Sequence, residues 1–160
     1  MLSSDIVAFI EGRVMMLFAT RDEAHRPMIG RGSGARFDAA TGLVSVLVSS
    51  SQWPRAVANA RAGLPVATTY VNPETYHAYQ IKGVITETHP ADSAESEWGA
   101  RYVREQLELM TSVGVSRLQL SSTLSDRDLV VVTFRPLDIF RQTPGPGAGQ
   151  KINARGEAAA

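Results

Sequence analysis

The sequence predicts a mainly β protein, a six-stranded antiparallel β-barrel with peripheral α-helices. Three observations carry that reading. Six apolar runs of strand length follow one another, most separated only by short turns rich in Gly, Pro, Asp and Asn. Helical periodicity is confined to the first residues and to two crossovers, so strand and helix do not alternate as a parallel sheet requires. The 160 residues, 44% of them hydrophobic, contain no internal repeat and no linker, which makes one domain with one core. That domain is read as residues 1–143, with a Gly/Pro/Ala-rich tail over 144–160 that is expected to be loosely held.

A short helix opens the chain. Ser4 or Asp5 can cap it, Ile6, Phe9 and Ile10 share one face, and Gly12 sits where a helix terminator belongs. Residues 14–20 are continuously apolar and read as a strand buried on both faces. A polar turn ending in Pro27 leads to a return strand over 28–37, and the turn at 38–42 leads to a third strand over 43–49. The period then changes. Trp53, Ala56, Val57 and Ala60 fall at helical spacing over 52–61, and Gly63 ends that helix. Strands follow at 65–71 and 76–88, joined by the turn Asn72-Pro73-Glu74. Trp98, Tyr102, Val103, Leu107 and Met110 form the apolar stripe of the longest helix, over about 92–113. Residues 115–124 suit a short helix. Residues 129–142 form the last strand, where Pro136 marks a bulge or an edge.

Composition removes several function classes. Lys plus Arg number 16 and Asp plus Glu number 16, so there is no basic excess for a nucleic acid or a membrane surface. There is no Cys, which excludes a thiolate nucleophile, a Cys-ligated zinc and an iron–sulfur cluster. His25, His77 and His89 are scattered without metal-ligand spacing, so no metal site is expected. No Gly-x-Ser-x-Gly elbow occurs. The N-terminus lacks a basic segment followed by a long apolar one, and the expected compartment is the cytoplasm. Fourteen of the 16 basic residues are Arg, so an anion would be read by guanidinium forks.

Three segments can carry binding chemistry. In Ile29-Gly30-Arg31-Gly32-Ser33-Gly34-Ala35, strand alternation puts the three glycines on one bare face and Arg31, Ser33 and Ala35 on the other. A flat ligand close to the strand explains such a face; so does a bulge or a tight barrel corner. In Ser49-Ser50-Ser51-Gln52-Trp53-Pro54-Arg55, a strand ends in serines and a helix begins. Free N–H groups, hydroxyls and the Arg55 fork suit a phosphate, although simple capping by Ser50 or Ser51 uses the same residues. In Tyr79-Gln80-Ile81-Lys82, Gln80 and Lys82 share a face. A Gln amide can donate and accept at once at a heteroaromatic edge, or it can sit on an exposed polar strand face. No residue stands out as an acid or base catalyst, so a reaction here would be carried by a cofactor.

This order of elements resembles the pyridoxamine 5'-phosphate oxidase-like, FMN-binding split-barrel family from Ile6 to about Gly149. The landmarks are Leu17-Phe18-Ala19-Thr20 with Arg26-Pro27, Ser49 to Arg55 leading into the helix with Asn59, Tyr79 to Gly83, and Phe140-Arg141-Gln142-Thr143-Pro144-Gly145-Pro146. The resemblance implies a homodimer with FMN in a groove at the subunit interface. By position, Arg31, Gly32, Ser33 and Gly34, then Val48, Ser49 and Ser50, and Arg55 at the usual basic position, would hold phosphate and ring. Gln80 would border the ring or ribityl chain, and the end of the last strand, including Arg141, would approach from the partner subunit. Arg55 stands where many relatives carry Lys, and Trp53-Pro54 replaces a small and a basic residue. The C-terminal basic, His-containing motif of true pyridoxamine phosphate oxidases is missing.

The resemblance therefore implies an FMN-dependent oxidoreductase, moving electrons between a small organic substrate and oxygen or a nicotinamide, rather than a vitamin B6 oxidase. The alternative is a split-barrel protein that binds flavin, deazaflavin or haem without turnover.

Overall fold

The computed structural model describes residues 2–153 and contains a closed barrel of six antiparallel strands, with four helices outside it. The strands are β1 (Met15–Arg21), β2 (Pro27–Asp38), β3 (Leu43–Ser49), β4 (Pro65–Val71), β5 (Ala78–Pro90) and β6 (Leu129–Arg141). They run β3-β2-β1-β4-β5-β6, and β3 pairs with β6 to close the ring. The helices are α1 (Ser4–Ile10), α2 (Pro54–Ala58), α3 (Ser93–Ser112) and α4 (Arg117–Ser121).

Alternation decides what fills the barrel. Met16, Phe18, Val44, Val46, Val48, Val66, Tyr70, Ile81 and Phe134 point inward and are buried. Ile6 and Ile10 of α1 and Ala56 of α2 join the same cluster. Ser3 caps α1, one residue before the expected position, by accepting from the Ile6 amide. Asp92 and Glu95 form a reciprocal capping box at the start of α3. The stripe on α3 packs Trp98 against Leu47, Leu129 and Val131 on the outer face of β3 and β6.

Two expectations need correction. Strand β1 is not buried on both faces. Met16, Phe18 and Thr20 face the core, whereas Leu17 is 39% exposed on the outside. Its outer face is apolar but uncovered in the single chain. The expected loose tail is also pinned as far as residue 153. Lys151–Ile152 forms a short strand, β7, on β6, with Ile152 buried in the core and Lys151 Nζ 2.6 Å from Asp138 Oδ1. Residues 154–160 lie outside the described residues.

Bulges place the remaining features. Ser33 and Gly34 of β2 together oppose Leu47, and Leu137 of β6 is extra between the pairs Lys82–Asp138 and Gly83–Pro136. Pro136 therefore sits at a bulge, and Leu137 is pushed outward to 62% exposure. Gly83 lets the two backbones approach. A Cβ there would lie 2.2 Å from the Arg135 carbonyl oxygen. Gly83→Ala is expected to destabilise the fold by roughly 2–3 kcal/mol, because a backbone atom must move. Gly32→Ala should cost less, since its Cβ meets the mobile Met16 methyl. Thermal or urea unfolding of both variants checks the order.

Candidate functional site

The barrel interior is packed, so the outer surface carries any site. Strand registers align one row of residues across five strands. Arg31 of β2 pairs with Leu17 of β1, Leu17 with Thr69 of β4, Thr69 with Gln80 of β5, and Gln80 with Phe140 of β6. The Gln80 amide donates to Thr69 Oγ1 at 3.0 Å. The neighbouring row runs Ile29, Ala19, Ala67, Lys82, Asp138, and the Lys82 ammonium lies 4.7 Å from the Phe140 ring centre. This surface is apolar at its middle, with a guanidinium at one end. It brings Arg31 and Gln80, two of the candidate site residues, into one row.

Arg31 has the least satisfied electrostatics in this region. Its side chain is half-buried, and burial pulls the guanidinium below its usual pKa, with the nearby Tyr102 phenol opposing that shift. Its one hydrogen bond goes to Thr123 Oγ1 at 3.3 Å, while Nε and Nη2 are buried without a partner. No carboxylate is paired with it among the described residues. A buried, incompletely bonded cation is unfavourable unless an anion completes it. Tyr102, whose phenol burial holds protonated, donates to the Val14 carbonyl at 2.7 Å and anchors α3 beside this end of the row.

Ser33 and the serines after β3 sit around the same end. Ser33 Oγ donates to the Ser125 carbonyl at 2.6 Å. Ser49 is buried, its hydroxyl 3.2 Å from Ser51 Oγ and accepting from the Gln52 amide. Ser50 gives both its amide and its hydroxyl to the Asp128 carbonyl, at 2.9 and 2.8 Å. Arg55 is exposed, and its guanidinium has no hydrogen bond or ion pair among the described residues.

Other sequence-selected positions fall elsewhere. Gly32 and Val48 face the core: a Cβ on Gly32 would meet Met16, and Val48 is fully buried. Gly34 adopts φ +131° in the bulge under Trp98, and Gly30 lies against Trp53. The three glycines therefore do not share one face as alternation alone predicts: Gly30 and Gly32 turn inward, whereas the bulge turns Gly34 outward under Trp98 and brings Ala35 into the core. Arg141 follows Phe140, so alternation puts it on the face opposite Gln80; its backbone bonds to residues 149 and 150. Helix α2 spans only five residues rather than the expected ten, so its dipole adds little to anion binding. Thr123, Ser125, Asp128 and Thr69 were missed in the sequence. Only the Ser116–Gln119 capping box, which starts α4, signals that segment.

An unpaired guanidinium kept for a ligand should lower stability in its absence. Arg31→Met, which keeps the length and removes the charge, is expected to raise unfolding free energy by about 1 kcal/mol, or a few degrees in Tm. A comparable loss would show instead that the cation is adequately paired within the fold.

No family model matches the sequence, and no curated protein does. Solved structures do. An F420 reductase is 12% identical, with a TM-score of 0.52 over 82% of this chain and 93% of its own. HupZ of Group A Streptococcus is 16% identical, with a TM-score of 0.54 over 93% and 100%. A Lactobacillus delbrueckii protein provisionally described as a pyridoxamine 5'-phosphate oxidase is 16% identical, with a TM-score of 0.52 over 87% and 93%. At these identities the likeness is one of fold, and the chain shares the split-barrel fold of these proteins.

Proposed function

We propose that this chain is a homodimeric flavin-binding protein that uses FMN and passes electrons between a small organic substrate and oxygen or a nicotinamide. The observation that carries this reading is the Arg31 guanidinium, with two buried, unpaired nitrogens, at the head of an outer row that contains Gln80. A phosphate monoester is a dianion of the kind such a fork binds. Arg31 and Arg55 would neutralise it, and Ser33, Ser49 and Ser50 would donate hydrogen bonds. Leu17, Thr69 and Phe140 would lie along a flat ring, with the Gln80 amide at its polar edge. The bound flavin would supply the redox chemistry.

The uncovered apolar side of β1 supports the dimer. Ile29 is 61% exposed in the neighbouring row, diagonal to Leu17 across β1 and β2, and Leu137, 62% exposed, lines a surface pocket with Ala19 and Ala67 further along it. A continuous apolar run such as β1 is buried on both faces once a second copy covers it.

A binding protein without turnover is the second reading. Arg31, Leu17, Thr69, Gln80 and Phe140 include no group that exchanges protons near neutral pH, so this row supplies no acid or base. Oxidation of a nicotinamide by the flavin-loaded protein separates the two readings.

The freshly purified protein is expected to absorb near the flavin bands and to release FMN on denaturation. Arg55→Ala should weaken FMN binding roughly 10–100-fold without changing Tm, by loss of a charge-assisted contact. Fluorescence titration measures this, and equal affinities would remove Arg55 from the site. Leu137→Asp should give monomers by analytical ultracentrifugation, because a carboxylate would be buried at the interface.

A further inference from the structure

The end of α4 and its connection to β6 lie on three of the donors that the phosphate reading uses, Arg31, Ser33 and Ser50, and on Gln52 beside them. Gln52 Nε2 donates to the Ser121 carbonyl at 3.0 Å, Arg31 Nη1 to Thr123 Oγ1, Ser33 Oγ to the Ser125 carbonyl, and Ser50 to the Asp128 carbonyl. Every donor in these contacts belongs to β2 or to the residues after β3, and every acceptor to residues 121–128. Three of the four acceptors are backbone carbonyls. A set of convergent oxygens facing a set of convergent donors is the arrangement a bound oxyanion presents.

The match is incomplete. Arg31 Nε, Arg31 Nη2 and Gln52 Oε1 stay buried and unbonded. Neutral carbonyls leave the guanidinium charge uncompensated, which a dianion does not. The connection is also lightly held. Leu120 and Leu124 are its buried anchors, whereas Leu118 is 82% exposed and Arg117, Asp126 and Arg127 are exposed. Positive φ angles bracket α4 and the connection together, +90° at Gly114 before α4 and +50° at Asp128 before β6. At Asp128 that conformation is a strain held by the two bonds from Ser50. Between the connection and α3 lies a cavity of about 550 Å³, lined by Val103, Leu107, Arg117 and Leu124 and reaching Ser51 and Gln52.

We propose that residues 121–128 are an intramolecular occupant of the anion cradle, which a phosphate monoester displaces. The proposal rests on the cradle assigned above. In the closed form the connection accepts from the Ser33 and Ser50 hydroxyls and the Gln52 amide nitrogen and gives Arg31 one long bond. A dianion takes over Arg31 and the serines, and the connection swings away about Gly114 and Asp128. Binding of the anion and closure of the connection are therefore mutually exclusive, and the apparent affinity falls by the fraction of molecules closed.

Because the chain has no cysteine, a lock can be installed cleanly. In Ser33→Cys/Ser125→Cys, oxidation is expected to lower FMN affinity at least tenfold relative to the same protein after reduction. Equal affinities in the two forms overturn the proposal. Hydrogen exchange on the wild type gives an independent readout. The amides of 117–128 and of Ser50 should exchange faster when FMN or inorganic phosphate is added. FMN binding with unchanged exchange leaves the flavin reading standing and overturns the displaced connection. Faster exchange with phosphate but no binding of FMN does the reverse. Unchanged exchange with both probes, and no binding, overturns both.

Discussion

The closure of β3 onto β6 constrains everything else in this molecule. Six strands make a tube whose interior is consumed by their own side chains, from Met16 and Phe18 to Tyr70 and Phe134. A ligand cannot enter it. Alternation then sends the remaining residues outward, and the helices divide that outer surface. Helix α3 covers β3 and β6 through Trp98, Leu47, Leu129 and Val131. Rows across β2, β1, β4, β5 and β6 remain uncovered. Position in the ring, more than any local motif, determines which polar residues can act together. Arg31 and Gln80 are far apart in sequence and come into one row only because three pairings lie between them.

Stability and binding pull against each other at one end of that row. A well-packed barrel has no need of a guanidinium with two buried, unpaired nitrogens. Strand β2 also bulges at Ser33 and Gly34 beside it, where regular pairing would be stronger. Departures of this kind from local consistency concentrate where a fold serves something other than itself. The serines after β3 and the carbonyls of 121–128 reduce the penalty without removing it. Their bonds are made between elements of modest anchoring, which is where a structure can open at least expense.

Much of the barrel was legible in the sequence because its strands are short apolar runs bounded by turn residues. Strand β4 appears at 65–71 as read, and α3 within one residue of its expected ends. The face of each residue was harder. The apolar run of β1 does not distinguish a strand buried by its own chain from one awaiting a second copy, and Leu17 proves to be outside. The glycines of β2 looked like a ligand surface, yet Met16, Trp53 and Trp98 occupy the space beside them. Which side chain fills a glycine gap depends on contacts between residues distant in sequence, and periodicity carries no such information. The same is true of Ser125 and Asp128: they contribute backbone carbonyls, which every residue type possesses. The hydroxyls and cations of the cradle were readable as residue types, whereas the oxygens facing them were not.

The distribution of ion pairs shows why the cradle matters in a chain with no net charge. Arg26 pairs with Asp22 at 2.8 Å and Arg61 with Glu23 at 3.0 Å, while Arg36 lies over the Trp98 ring at 4.2 Å. These cations are spoken for, and the exposed pairs contribute little to a distant anion because solvent screens them. Among the described residues Arg31 is half-buried with no carboxylate partner, and Arg55 is exposed with none. Arg31 and Arg55, unpaired among the described residues, would find their counter-charge in a bound anion under the reading proposed above. A pair of cations with a few hydroxyls suits a small anion, whereas a polyanion needs a long basic track, for which a chain with 16 basic and 16 acidic residues has no excess charge.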